Sequence, residues 1–214
     1  MLLCYITDRL QFSGNEREKR AQLFRKIAEC VAADVHYIQL REKDLTIREL
    51  QELAAEAARL IPQSSTTKLL INSRIDVALA CGAQGVHLPA NDLPASEARA
   101  LFGRVARISP VVSASCHAVE EVAAAEAHGA DFAVFGPVFE KNGLLKASGL
   151  VQLEQACKRS HMAANAMPIL ALGGITLENA GQCRHAGAAG IAAIRLFQQN
   201  NVDWVIKKLQ ESLD

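Results

Sequence analysis

Polar and charged residues gather at a few points of this sequence, each directly after a short apolar run. Gln39-Leu40-Arg41-Glu42-Lys43-Asp44 puts two cations beside one another. An arginine grips a phosphate through its planar fork, and a lysine supplies a point charge. Asn72-Ser73-Arg74 follows a second run and adds further donors. Asp92 offers the hard carboxylate oxygen that Mg²⁺ takes together with diphosphate oxygens, although Asp92-Leu93-Pro94 also reads as a helix cap. His87 and His117 suit acid–base work, phosphate binding or a structural hydrogen bond. Ser115-Cys116-His117 does not read as a nucleophile dyad, because chain neighbours rarely face each other.

A second kind of chemistry is encoded at Pro168–Glu178. Ile169 to Leu172 is apolar without alternation, as in a strand buried on both faces. It runs into Gly173-Gly174, where the main chain can take angles closed to other residues and a ligand can approach closely. Thr176 is placed to cap a following helix. Strand, glycine turn and helix start together form an anion site or else a plain tight turn. Arg195, just past another apolar run, gives this turn a cationic neighbour and favours phosphate.

The elements that must carry these residues alternate along the whole chain. Apolar runs at 2–7, 35–40, 68–71, 85–88, within 105–113, and at 131–135, 168–172 and 190–194 read as strands. Stretches with helical spacing lie between them, and an amphipathic helix over 202–213 closes the chain. Repeated strand–helix units imply parallel strands with right-handed crossovers. Eight of them predict an α/β fold, a (β/α)₈ TIM barrel spanning residues 1–214 as one domain. In such a barrel the residues listed above fall at the carboxyl ends of the strands, where barrel sites are built. The loop after strand six runs from Gly136 to Gly149, and its part from Glu140 to Gly149, with Lys146, could act as a lid or simply be flexible.

Composition narrows the classes. Lys plus Arg number 23 and Asp plus Glu number 23, so no global field argues for nucleic acid. A phosphorylated small molecule would have to be held by local groups. Six cysteines show no Cys-x-x-Cys spacing and read as reduced buried thiols in a cytoplasmic protein. The apolar start at Met1–Thr7 is too short for a signal peptide or a membrane span. A homo-oligomer is compatible with all of this, and nothing in the sequence requires one.

Taken in order, these motifs resemble the thiamin-phosphate synthase/TenI family over nearly the full length. The resemblance rests on Tyr5-Ile6-Thr7-Asp8-Arg9, Gln39 to Asp44, Asn72-Ser73-Arg74, Gly85-Val86-His87-Leu88, and Asp92-Leu93-Pro94. It continues through Ser115 with His117, Phe135-Gly136-Pro137-Val138-Phe139 and Leu172-Gly173-Gly174-Ile175-Thr176. It implies a thiamine-biosynthesis transferase that joins aminopyrimidine methyl diphosphate to thiazole phosphate, releasing diphosphate. By motif match Gln39, Arg41, Lys43, Asn72 and Ser115 would meet the diphosphate side, Asp92 would bind Mg²⁺, and Gly173 and Gly174 would hold the thiazole phosphate. Arg74, His87, Lys146 and Arg195 join them as binding candidates.

The sequence departs from the synthase pattern at three points. Ser73 stands where synthases carry a second metal-binding Asp. Glu140-Lys141-Asn142-Gly143-Leu144 replaces a Pro-Thr-x-Thr-Lys run, leaving Lys141 or Lys146 as the stand-in lysine. Arg195 replaces a small Ser-like residue. The TenI branch isomerises a thiazole phosphate carboxylate with a histidine just after strand six, a position held here by Pro137. His117 is then the candidate acid–base for a tautomerase. A barrel that only binds thiamin-pathway phosphates is the remaining alternative.

Overall fold

The computed structural model describes residues 1–139, 148–162 and 166–211. Eight parallel strands close into a barrel in sequence order: β1 Leu2–Ile6, β2 Tyr37–Leu40, β3 Lys68–Asn72, β4 Gly85–Leu88, β5 Val111–Cys116, β6 Phe132–Phe135, β7 Ile169–Leu172 and β8 Gly190–Ala193. The ring closes where Leu2 pairs with Gly190 and Tyr5 with Ala193. Helices α1 Glu16–Ala32, α2 Ile47–Arg59, α3 Ile75–Cys81, α4 Ala95–Val105, α5 Val119–Ala127, α6 Gly149–His161 and α7 Leu177–His185 connect successive strands. A short α8, Arg195–Gln198, and a longer α9, Val202–Glu211, follow β8. No helix among the described residues is long and apolar enough to cross a membrane.

Two apolar layers hold the barrel. The interior is filled by Cys4, Ile6, Leu70, Phe132, Val134, Leu170 and Ala192, with Tyr37 stacked on Phe132 at a centroid distance of 4.4 Å. A larger layer, including Leu23, Ile27, Leu53, Phe102, Leu153 and Phe197, packs the helices onto the outer strand faces. Because both strand faces are buried, the strands read as continuous apolar runs instead of alternating ones. Three helices begin on reciprocal caps. Asn15 pairs with Glu18, Thr46 with Glu49, and Thr176 with Asn179, each satisfying backbone donors that the first turn leaves open.

The expected strands lie within a residue or two of those observed, with one exception. β5 begins only at Val111, because α4 extends through Val105. Its inner face carries Ser113 and Ser115, which break the apolar run that marks the other strands. The four-residue α8 was not signalled by any periodicity.

Candidate active site

Alternation along the strands puts one residue in two inside the barrel, and at the carboxyl ends this divides the mouth in two. Strands β2 to β5 present Gln39, Asn72, His87, Ser113 and Ser115; the inner positions of β6 to β8 and β1 are apolar, as at Val134, Leu172 and Ile6. Gln39 is 2% exposed, and its Nε2 donates to Asn72 Oδ1 at 3.0 Å. Its Oε1 is buried without a partner. His87 is also buried, with Nδ1 2.8 Å from Ser113 Oγ and Nε2 2.8 Å from Ser115 Oγ. Burial, and then the nearby Arg41 charge, push its pKa down to about 3, so the ring is neutral at pH 7. A neutral imidazole donates through one nitrogen and accepts through the other, so His87 orients both serine hydroxyls.

The cations separate into paired and unpaired sets. Arg9 is 3% exposed and donates to Glu16, Glu42 and Asp44, the last through two 2.7 Å bonds. Arg74 turns onto Asp76 through its Nε at 2.8 Å and through Nη2. Arg41, Lys43 and Arg195 have no side-chain hydrogen bond or ion pair among the described residues. Lys43 borders a recess between the loops after β2 and β3, with Asn72, Ser73 and Pro89.

Asp92 and Ser73 meet across two loops. Ser73 Oγ donates to Asp92 Oδ2 at 3.2 Å, while Asp92 Oδ1 accepts the Leu93 N–H at 2.8 Å. The helix-cap expectation for Asp92 is not met: α4 begins after Pro94 without a side-chain cap, and Asp92 instead holds its own turn with one oxygen and Ser73 with the other. No cluster of three or more His, Cys, Asp or Glu that could hold a metal occurs among the described residues. One carboxylate with an adjacent hydroxyl fits Mg²⁺ only where a ligand's phosphate oxygens complete the shell.

The glycine turn lies on the opposite side of the mouth. Gly173 and Gly174 have φ of 99° and 63°, open to glycine at little cost. A Cβ on Gly173 would stand 2.6 Å from Pro137 Cβ, and one on Gly174 2.7 Å from Phe139 Cβ. Val138 N donates to Leu172 O at 2.8 Å and Phe139 N to Gly173 O at 3.1 Å, which stitches the start of the β6 loop to this turn. The turn, the β8 end at Ala193–Ile194, and Arg195 line a cavity of about 510 Å³ that extends to Gln199, Asn200 and Trp204. His117, exposed after β5, places Nδ1 2.5 Å from Gly136 O. A carbonyl only accepts, so that nitrogen donates, and Nε2 makes no hydrogen bond among the described residues. Lys141, Lys146 and the lid expectation for the β6 loop fall outside the described residues.

A sequence profile described as Thiamine monophosphate synthase matches residues 5–197. The chain belongs to this family. It is 43% identical over 157 residues to the thiamine-phosphate synthase of Chlorobium luteolum, covering 73% of this chain and 71% of that one. It is 39% identical over 172 residues to that of Methanoculleus marisnigri, covering 79% and 76%. The thiamine phosphate pyrophosphorylase structure from Pyrococcus furiosus superposes with a TM-score of 0.78 at 26% identity, covering 99% of this chain and 95% of that one.

In this thiamine monophosphate synthase family member, the residues singled out from the sequence fall into two sets. Gln39, Arg41, Asn72, His87 and Ser115 come together at one half of the mouth. Gly173, Gly174 and Arg195 come together at the other. Sequence reasoning missed the role of Thr7, Arg9 and Glu42, which the fold joins into one buried network. Their only signal was position: charged residues directly after β1 and β2, adjacent strands in the barrel.

Proposed function

We propose that the protein is a thiamine-phosphate synthase, joining aminopyrimidine methyl diphosphate to thiazole phosphate and releasing diphosphate. The observation that carries this reading is the divided mouth. Unpaired cations and amide donors occupy one half, and a glycine turn with an unpaired arginine occupies the other. Two phosphorylated substrates need two separate anion sites facing one reaction space, and uniform charge would not supply them.

The first half holds the diphosphate ester. Arg41 takes diphosphate oxygens as a fork, Lys43 adds charge from the neighbouring recess, and Asn72 and Ser115 supply donors, Ser115 being aimed by His87. The orphaned Gln39 Oε1 can only accept, so it faces the pyrimidine amino group and not an anionic oxygen. Arg74 reaches the diphosphate only by leaving Asp76. As the C–O bond to diphosphate breaks, negative charge grows on the leaving group, and fixed cations stabilise that change more than they stabilise the ground state. The ring-stabilised carbocation is then captured by the thiazole nitrogen, presented by a phosphate held at Gly173, Gly174 and Arg195. Asp92 is the residue that would hold Mg²⁺, and a bound Mg²⁺ would supply further charge neutralisation on the diphosphate. Ser73 leaves that position one carboxylate short.

The tautomerase alternative has one observation in its favour, an exposed His117 oriented by its Nδ1 bond to Gly136 O. Against it, Pro137 packs on Gly173 where a TenI histidine would stand. The deciding experiment is a Mg²⁺-dependent diphosphate-release assay with both substrates. Release that requires both confirms the synthase. Thiazole phosphate binding without diphosphate release sinks it, and a tautomerase assay on wild type and His117→Ala then separates the two remaining readings.

A further inference from the structure

We infer that Thr7 and Glu42 are positioning residues that fix where the Arg41 guanidinium stands. The inference rests on the reading of Arg41 as a diphosphate contact. Thr7 is fully buried at the end of β1. Its hydroxyl has one proton, which goes to Glu42 Oε1 at 2.5 Å, and its lone pair takes the Arg41 backbone N–H at 2.9 Å. One side chain thus ties residues 41 and 42 to the neighbouring strand. Glu42, 4% exposed, accepts in addition from the Arg9 N–H at 3.0 and 3.2 Å and from Arg9 Nη1 at 3.2 Å. Arg9 is itself held by Asp44 and Glu16.

Both Glu42 carboxylate oxygens are already engaged, Oε1 by the Thr7 hydroxyl and the Arg9 N–H and Oε2 by the Arg9 N–H and Nη1. A buried ion network of this kind gives little net stability, because desolvating the charges costs about what their attraction returns. Its effect is geometric. Residues 42 and 44 are drawn back onto Arg9, away from the mouth, and residue 41 lies between two fixed points. The Arg41 side chain has no hydrogen bond or ion pair of its own among the described residues, so its placement follows from this anchored backbone. Arg9, although at a strand end beside the mouth, has its guanidinium committed to Glu16, Glu42 and Asp44.

The test compares wild type, Arg41→Ala, Thr7→Val and Thr7→Ser as full-length proteins. Titration calorimetry measures inorganic diphosphate with Mg²⁺, and inorganic phosphate at the glycine turn serves as the control. Valine matches threonine in shape but can neither donate nor accept; serine keeps both functions. Arg41→Ala and Thr7→Val should each weaken diphosphate binding by about tenfold or more, roughly the value of one charge-assisted contact. Thr7→Ser should stay within about twofold, and phosphate affinity should not move in any variant. If Thr7→Val does not fold, Glu42→Gln carries the same expectation, since one amide face then opposes the Arg9 N–H. Wild-type diphosphate affinity in Thr7→Val beside a weakened Arg41→Ala overturns the positioning role. So does an equal loss of phosphate binding, which would mark general loosening of the barrel. Unchanged affinity in Arg41→Ala overturns the reading of Arg41 itself, and with it this inference.

Discussion

Asp92 shares one oxygen with its own turn and the other with the Ser73 hydroxyl, so a metal there depends on the ligand for most of its shell. Titration with Mg²⁺ alone should therefore give no saturable binding, while Mg²⁺ with diphosphate should bind. Ser73→Asp adds the missing carboxylate and also relieves a φ of 64°, a left-handed angle that Asp tolerates better than Ser. The Mg²⁺ concentration for half-maximal rate should fall about tenfold in that variant, with a lower Tm in chelator where two carboxylates repel. His87 gives a pH prediction. Its folded pKa of about 3 lies below the ordinary histidine value of 6.5. Unfolded chains thus bind a proton that folded ones refuse, and stability drops as pH falls from 6.5 toward 3. His87→Asn should flatten that slope, by up to a few kcal/mol at pH 4, in denaturant titrations compared with wild type. At this scale the sequence was legible wherever polar residues closed an apolar run, as at Arg41 and Asn72. It was not legible for Arg9 and Glu42 or for His87 with Ser113. Those pairings span 33 and 26 residues and exist only through strand adjacency.

Among the elements, the β7–turn–α7 unit combines several constraints in a few residues. Gly173 and Gly174 are required by backbone angle and by the β6 loop pressed against them, independently of any ligand. Gly173→Ala should cost about 2–4 kcal/mol, from strain at positive φ plus overlap with Pro137, and should abolish phosphate binding at the turn. Thermal unfolding and phosphate titration check the two effects separately. Asn179 closes the cap by accepting the Thr176 N–H at 2.8 Å and donates to Gly174 O at 2.9 Å. Asn179→Ala should lose about 1 kcal/mol and weaken phosphate binding without touching diphosphate affinity. The start of this helix could be read from Thr176 alone. β5 could not be placed because the serines that face His87 erase its apolar signature. α8 was invisible because four residues carry no period.

On the scale of the molecule, six cysteines sit in or against the packed layers, and burial raises their thiols: Cys157 to about 11, and Cys4, Cys116 and Cys183 to about 12. Native protein treated with iodoacetamide at pH 8 should therefore label slowly, and all six should react only after unfolding. Rapid native labelling of Cys116, the one beside the candidate site, would contradict that picture. The barrel itself was legible because repeated strand–helix units allow few closures, and the two sets of residues were legible from the motifs; that they stand on opposite sides of the mouth came from strand order. The division has a historical consequence. Gln39, Asn72, His87 and Ser115 come from strands β2 to β5, and Gly173, Gly174 and Arg195 from the ends of β7 and β8, with no residue serving both. Selection can thus act on one half while the other drifts. Ser73 in one half and Arg195 in the other are separate departures, and a glycine turn kept as it stands would let a descendant of this chain keep its phosphate-bearing substrate while exchanging the partner it reacts with.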